Sequence, residues 1–367
     1  MSPAWSIFAL PPHELLGRAI AADLGHDLAQ YELRRFDDGE LKIRAMEPVR
    51  GHDVYVIASL YGDTNESVHD RLCRTLFFLG ALRDSGAGRL TLVAPYMCYA
   101  RKDRRTNPRD PVTTRYIARL IEAAGADRVL TVDVHNLAAY ENAFRIGCDH
   151  LEATPLFVAA CRELPGPLAV VSPDPGGFHR AEALRDALER VQAGTVELAM
   201  LGKHRKGGVV RTEAFVGDVA GRTALIVDDM IVSGTTLLRA ADACLARGAT
   251  AVHALATHAM LTIDAVRTLA ASPIARFVIT DTIATDRVDL GLLRQRLAVT
   301  SVAPLVARAI GALRDDASLT RARYPLAACA RARSSSAWPR PRGWAVGSAS
   351  TTWRTAITAR ARACWPR

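Results

Sequence analysis

The chain is 367 residues long, 49% hydrophobic and 6% aromatic, and carries a formal net charge of +9. This length is typical of two domains that each bury their own core. The sequence has no apolar run of the ~18 residues that a membrane-spanning helix requires, and its start lacks the basic segment of a signal peptide. The seven cysteines never form a CxxC pair, which favours a reducing, cytoplasmic location and argues against a zinc cluster.

The positive charge is confined to the end of the chain. Residues 321–367 contain ten of the 47 basic residues and no acidic residue, which leaves 37 basic against 38 acidic side chains in residues 1–320. The body of the chain therefore gives no indication of nucleic-acid binding. The tail has no helical or alternating period, so we predict disorder. A nucleic-acid-binding arm and a frameshifted or read-through end both remain open.

Helices and strands alternate through the body of the chain. A helix–Gly–Ala–strand pattern recurs at Gly86, Gly125 and Gly248, where glycine supplies the left-handed position that ends a helix. Such alternation predicts βαβ units and parallel sheets with right-handed crossovers. The exception comes early, where the Asp-Gly pair within Phe36–Glu40 predicts a hairpin between Tyr31–Phe36 and Leu41–Met46.

Three predicted strands end in polar segments, at the edge where parallel sheets bind ligands. Arg101–Arg105 contains four cations, which suit a polyphosphate, although a solvated basic loop fits the composition equally well. His135 follows the strand at 129–132, and Asp174 lies in a Pro- and Gly-rich turn after the strand at 168–171. A single histidine past a strand is more often structural than a ligand, and a tight turn can carry an incidental aspartate.

Residues 202–208 form a second basic segment, between glycines. Lys203 and Lys206 are two of only four lysines in a chain that otherwise uses arginine. We predict a mobile, positive loop here, after a strand at 196–201. Solvated charge is the usual explanation of such a run, whereas the concentration of lysine favours contact with an anion.

The stretch 223–238 predicts a sugar-phosphate site. A short apolar strand, Ala224–Val227, leads into Asp228 and Asp229, and Ser233–Thr236 then begins a helix. The helix N-terminus and the hydroxyls suit a phosphate, and the two acids can accept sugar hydroxyls or bind a metal. A plain strand–turn–helix connection is the alternative. The stretch resembles the phosphoribosyl-diphosphate loop of type I phosphoribosyltransferases and of ribose-phosphate diphosphokinases.

Residues 5–318 as a whole resemble the ribose-phosphate diphosphokinases. Six segments carry the likeness in order: FDDGE at 36–40, YARKD at 99–103, DVH at 133–135, SPDPGG at 172–177, KHR at 203–205 and TDTI at 280–283. The resemblance implies an α/β fold of two phosphoribosyltransferase-like domains, each a mostly parallel sheet flanked by helices, with a disordered C-terminal tail. The implied ranges are 1–148 for the first domain, 149–299 for the second, 300–318 packing back on the first, and 319–367 for the tail.

The same resemblance implies a role for individual residues. The catalytic residues are Lys203 and Arg205; the ATP-binding residues are Phe36, Asp38, Glu40, Arg101, Lys102 and His135; the ribose 5-phosphate-binding residues are Asp228, Asp229, Ser233, Gly234, Thr235 and Thr236; and the ligands of Mg²⁺ are His135 and Asp174. Lys102 replaces the glutamine that is usual in the family. The hairpin with Phe36 reaches a neighbouring subunit's site in the family, so the resemblance implies at least a dimer, with a hexamer as one compatible assembly.

The implied reaction transfers the diphosphoryl group of ATP to the anomeric hydroxyl of ribose 5-phosphate. Two rivals share part of the evidence. A phosphoribosyltransferase would use the loop at 228–236 but has no need of the hairpin, the basic segment or the K-x-R motif. A non-catalytic regulatory paralogue would be expected to have lost Lys203 and Arg205, which are present.

Overall fold

A computed structural model describes residues 4–162, 164–192, 194–206 and 209–319, with backbone alone for 203–206 and 209–213. The elements of the first half are β1 (Trp5–Ala9), α1 (Glu14–Asp23), β2 (Tyr31–Arg35), β3 (Leu41–Ala45), β4 (Asp53–Ile57), α2 (Val68–Asp84), β5 (Arg89–Ala94), α3 (Thr113–Ala123), β6 (Arg128–Val132), α4 (Leu137–Ala143) and β7 (Gly147–Leu151). Those of the second half are α5 (Thr154–Cys161), β8 (Leu168–Ser172), α6 (Phe178–Glu189), β9 (Glu197–Lys206), β10 (Val209–Val216), β11 (Thr223–Ile231), α7 (Thr235–Leu245), β12 (Ala251–Ala259), α8 (Ile263–Ala270), β13 (Arg276–Thr280), β14 (Leu297–Thr300) and α9 (Ala303–Arg314).

The strands form two sheets and a separate hairpin. The first sheet has the order β1-β4-β5-β6-β7, and all its pairs are parallel. The second has the order β10-β9-β8-β11-β12-β13-β14 and is parallel except where β10 pairs with β9. The predicted α/β fold of mostly parallel sheets flanked by helices is confirmed. Within the described ranges, no helix combines the length and the apolar character needed to cross a membrane.

In the part of the chain that the structure describes, one of three buried hydrophobic clusters contains residues of both sheets. Ile7 and Tyr55 of the first sheet belong to the same buried cluster as Val170 and Leu225 of the second. Helix α9 adds Val306 to this cluster and lies against α1. The first sheet ends at Leu151, beyond the boundary predicted at 148. Because residues of both sheets are buried together, the hydrophobic effect fixes the position of one sheet relative to the other. A site built from both sheets requires such a fixed position.

Two strands are longer than the sequence predicts. The strand expected over 224–227 continues as β11 to Ile231, so Asp228 and Asp229 lie within the strand and Asp228 pairs with Ala256 of β12. Residues 202–208 were predicted as a mobile loop, which is wrong for 202–206, because these residues continue β9 and pair antiparallel with β10. Residues 207 and 208 lie outside the described residues. In both places the hydrogen bonds of a neighbouring strand extend an element beyond its apolar residues.

Acid should destabilise the fold through His13, which lies just before α1 and is 3% exposed. Burial, reinforced by the Arg71 guanidinium, lowers the pKa of His13 from 6.5 to about 3. As pH falls below 6.5, the unfolded chain binds a proton that the folded chain excludes, so stability falls until about pH 3. At pH 5 the expected loss is about 2 kcal/mol. Urea unfolding of His13→Phe between pH 7 and pH 5 should show a shallower loss than the unsubstituted chain; equal slopes would exclude this group as the cause.

Candidate active site

The carboxyl ends of the central strands of both sheets border one cavity of about 850 Å³. Loops after β5 and β6 supply one wall, and the turn after β8 together with the end of β11 supplies the other. The residues that border it and were predicted as site residues are Arg101, Lys102, His135, Asp174, Asp228 and Asp229. Four separate predicted segments therefore meet at one place, although they are far apart in the chain.

A hydrogen bond joins the two walls. His135 Nδ1 lies 2.8 Å from Asp229 Oδ2, which connects the loop after β6 to strand β11. Beneath it, the buried His258 of β12 places Nε2 3.1 Å from the carbonyl oxygen of Val132, and the hydroxyl of Thr257 donates to the carboxylate of Asp133. These contacts fix His135 and the acidic pair relative to each other.

The two acids of β11 differ in their surroundings. Asp229 bonds to His135, and the Arg180 guanidinium lies 3.9 Å from a carboxylate oxygen of each acid. Despite its burial, these partners hold the pKa of Asp229 below its usual range, and the bond to Asp229 raises the pKa of His135. Burial and the negative charge of Asp229 raise the pKa of Asp228. Asp229 therefore stays negatively charged, whereas Asp228 binds a proton at a higher pH than an ordinary aspartate.

Asp174 lies in a tight turn that opens onto the same cavity. Its Oδ1 accepts a hydrogen bond of 3.1 Å from the Gly177 amide, at a 3-10 helix over Pro175–Gly177. The Ser172 hydroxyl donates to the Asp174 carbonyl at 2.6 Å. The Asp174 side chain borders the cavity. Among the described side chains, no group of three or more His, Cys, Asp and Glu could hold a metal by itself.

This donor set fits magnesium that is shared with a phosphorylated substrate. Mg²⁺ is usually bound through one or two protein ligands together with substrate phosphates and water, rather than by an all-protein cage. Asp174 offers a carboxylate oxygen, and His135 offers its second ring nitrogen, since Nδ1 faces Asp229. The residues present are therefore sufficient for that mode of binding.

The basic segment is folded on itself. Arg101 is exposed at the cavity, as is Arg104, whereas the Lys102 ammonium group lies 2.7 Å from the carboxylate of Asp110. The carboxylate of Asp103 accepts a 2.6 Å bond from the Asn136 side chain, next to His135. Lys102 borders the cavity, but its charge is already paired.

The predicted phosphate loop lies outside the lining of this cavity, at the start of α7. Gly234 has φ +77° and caps the helix, and the exposed Ser233 and Thr235 hydroxyls lie 3.0 Å apart. A Cβ atom at Gly234 would lie 2.7 Å from Leu269 Cδ2. Only glycine therefore allows the backbone to turn here beside α8.

Gly234→Ala should destabilise the fold by about 1–3 kcal/mol. The loss is expected because alanine would have to adopt the left-handed backbone conformation and its Cβ atom would lie too close to Leu269. Gly221→Ala is the matched control, because Gly221 has φ +70° with nothing within 4 Å of its Cβ position. The difference between the two variants in thermal unfolding isolates the contact with Leu269. Equal losses of stability would mean that the contact relaxes without cost.

The hairpin β2–β3 stands apart from the cavity. Phe36 is 38% exposed, with the Arg34 guanidinium 4.9 Å from its ring centroid, and Asp38 and Glu40 are exposed at the tip. None of these three predicted residues borders the cavity of their own chain. The side chains of Lys203 and Arg205 lie outside the described residues; their backbone is in β9, which passes beside the turn at 175–177.

Several residues of the site are not among those predicted from the sequence. Arg180 follows Gly177 by three positions, and its guanidinium lies beside the carboxylates of Asp228 and Asp229. Asp133, Asn136, Glu152 and His179 also border the cavity. Asp133 has φ +42°, but a strained backbone leaves no mark on the sequence.

Comparison with known proteins identifies the family. The family model for the N-terminal domain of ribose phosphate pyrophosphokinase matches residues 5–125, and that for the phosphoribosyl synthetase-associated domain matches residues 196–322. A curated ribose-phosphate pyrophosphokinase of Granulibacter bethesdensis is 39% identical over 318 residues, which are 86% of this chain and 98% of that protein. The chain belongs to the ribose-phosphate pyrophosphokinase family.

Other members of the family agree with this assignment. The ribose-phosphate pyrophosphokinase of Caldanaerobacter subterraneus is 37% identical over 321 residues, covering 86% of this chain and 96% of that protein. The crystal structure of phosphoribosylpyrophosphate synthetase from Mycobacterium smegmatis superposes with a TM-score of 0.76 at 32% identity, covering 85% of this chain and 99% of that one. The resemblance seen in the six segments is therefore confirmed at the level of the family.

Proposed function

We propose that this chain transfers the diphosphoryl group of ATP to the anomeric hydroxyl of D-ribose 5-phosphate, giving 5-phosphoribosyl 1-diphosphate and AMP for nucleotide biosynthesis. The observation that carries the proposal is the bond between His135 and Asp229, which holds the nucleotide-side loop against the sugar-side acids around one cavity. The names of the family members support the same reaction.

The sugar side of the site is built from β11 and α7. Asp228 and Asp229 accept the 2- and 3-hydroxyls of ribose 5-phosphate, with Arg180 balancing their charge. Ser233, Gly234, Thr235 and Thr236 receive the 5-phosphate. Amide groups and hydroxyls at a helix N-terminus suit this anion, because they donate hydrogen bonds and the helix dipole favours negative charge.

The nucleotide side combines this chain with a second copy. Arg101 and His135 contact the phosphates of ATP, and Lys102 belongs to the same loop. Phe36, Asp38 and Glu40 hold the adenine in a neighbouring subunit's site, which accounts for a hairpin tip that is exposed and away from its own cavity. The proposal therefore includes a homo-oligomer, at least a dimer, and a cytoplasmic location.

Magnesium is proposed at His135 and Asp174, together with the phosphates of ATP. When bound, the ion supplies positive charge that stabilises the phosphoryl oxygens during transfer. Lys203 and Arg205 add cationic donors to the same phosphates from β9. The anomeric hydroxyl oxygen of the sugar attacks the β-phosphorus of ATP and releases its proton to solvent. The bond from that phosphorus to the α,β-bridging oxygen breaks, and AMP leaves with that oxygen.

An AMP-release assay tests the proposal. AMP should form from ATP only when ribose 5-phosphate is present, in amounts equal to the phosphoribosyl diphosphate produced. A phosphoribosyltransferase would instead consume phosphoribosyl diphosphate in the presence of a nucleobase. A regulatory paralogue would form no AMP alone, so either of those results would overturn the proposed reaction.

A further inference from the structure

The carboxylate of Asp110 gathers an unusual number of donors at the basic loop. Its Oδ2 accepts hydrogen bonds from the Lys102 ammonium group at 2.7 Å, the Thr106 hydroxyl at 2.6 Å, the Thr106 amide at 3.1 Å and the Asn107 amide at 3.0 Å. One oxygen atom thus closes the loop between residues 102 and 110. A charge-assisted bond together with two bonds from backbone amides favours the closed conformation of the loop.

The backbone on either side fits this closure. Arg109, directly before Asp110, has φ +70°, a conformation that costs a non-glycine residue about 1 kcal/mol. At the other end, the Thr114 hydroxyl donates to the carbonyl oxygens of Tyr99 at 3.0 Å and Lys102 at 3.1 Å. The loop is therefore fixed at both stems as well as across its middle.

In the closed loop, Arg101 and Arg104 border the cavity, whereas the Lys102 ammonium group forms an ion pair with Asp110. Without the closure, a segment with five cations between 101 and 109 would repel itself and sample many conformations. Holding cations in place before an anion binds removes an ordering cost from the binding step.

We propose that Asp110 is a positioning residue of the nucleotide site, which pairs with Lys102 to hold Arg101 and Arg104 toward the phosphates of ATP. This inference rests on the proposed function. It gives Lys102 an indirect part in ATP binding, through the loop and not through a contact of its own. The opposite arrangement, with Lys102 as the phosphate ligand, predicts an effect of opposite sign.

Steady-state kinetics of Asp110→Asn separates these arrangements. Loss of the closure should raise the KM for ATP about tenfold and leave the KM for ribose 5-phosphate within about twofold, with an unchanged unfolding temperature. If Lys102 were the ligand, freeing it from Asp110 would lower the KM for ATP, and that result would overturn the inference. Asp289→Asn is the control, since Asp289 also accepts from a backbone amide in an exposed turn, away from the cavity.

A double-mutant cycle with Lys102→Met identifies the partner. If the pair acts as a unit, the double variant should raise the KM for ATP no more than Asp110→Asn alone. If the increases in the KM for ATP of the two single variants multiplied in the double variant, the pairing of Lys102 with Asp110 would be contradicted.

Limited trypsin digestion provides a readout that does not depend on activity. Asp110→Asn should be cleaved at Arg104 or Arg105 about tenfold faster than the unsubstituted chain, because the loop opens more often. An unchanged cleavage rate would overturn the closure even if no AMP were formed. Absence of AMP formation by the unsubstituted chain, with protection of the loop retained, would instead count against the proposed function.

Discussion

Lys203→Ala is expected to lower kcat by about 10²–10³-fold while the KM values change little, as for loss of one donor that acts on transition-state charge. The position of the strand supports this expectation. Met200 of β9 pairs with Ser172 of β8, so the K-x-R segment continues along β9 past the turn that carries Asp174. A cation three residues further along is suited to phosphoryl oxygens that gain charge during transfer.

The matched control for this variant lies in the same strand. Lys206→Ala removes the same side chain from the end of β9, outside the K-x-R motif, and should retain turnover within about threefold. Rates of AMP formation at saturating ATP and ribose 5-phosphate compare the two variants. Near-normal turnover of Lys203→Ala, or equal losses in both, would contradict a catalytic role for Lys203.

His135→Gln is expected to lower kcat/KM for ATP by about 10²-fold. The histidine bonds to Asp229 across the two walls of the cavity, and we propose that it also contacts ATP and magnesium. Glutamine keeps hydrogen-bonding capacity but loses the imidazole nitrogen that is oriented toward the cavity by the bond from Nδ1.

The magnesium dependence of His135→Gln tests the proposed contact of this histidine with the metal. The concentration of Mg²⁺ for half-maximal activity should rise in His135→Gln, whereas His26→Gln, at a histidine outside the cavity lining, should match the unsubstituted chain. Reduced activity with an unchanged magnesium dependence would contradict the contact with magnesium and would leave the bond with Asp229 as the role of His135.

The sequence predicts most of the framework because parallel strands carry strong local signals. The strands predicted after Gly86, Gly125 and Gly248, each preceded by a helix, correspond to β5, β6 and β12. The Asp-Gly turn correctly predicts the hairpin of β2 and β3. Where a strand is extended by its neighbour, local composition fails, and Lys206 and Ile231 mark the ends of strands that the sequence places several residues earlier.

The sequence predicts those site residues that form a conspicuous polar segment after or within an apolar strand. Arg101, His135 and Asp174 follow recognisable strands and the pair Asp228–Asp229 lies in the last part of one, and the structure brings them to one cavity. The pairing of Lys102 with Asp110 was not predictable, because the seven intervening residues, 103–109, can fold in many ways. Burial and the charge of Asp229 raise the pKa of Asp228, whereas His135 and Arg180 hold the pKa of the buried Asp229 low, and these surroundings arise only through tertiary packing.

The transfer itself can be followed with ATP that carries ³²P in its β-phosphate. In the presence of ribose 5-phosphate and Mg²⁺, the account predicts that the label moves into 5-phosphoribosyl 1-diphosphate while unlabelled AMP is released in equal amount. Label recovered in ADP, or in inorganic phosphate or diphosphate formed without ribose 5-phosphate, would contradict transfer of the diphosphoryl group to the sugar.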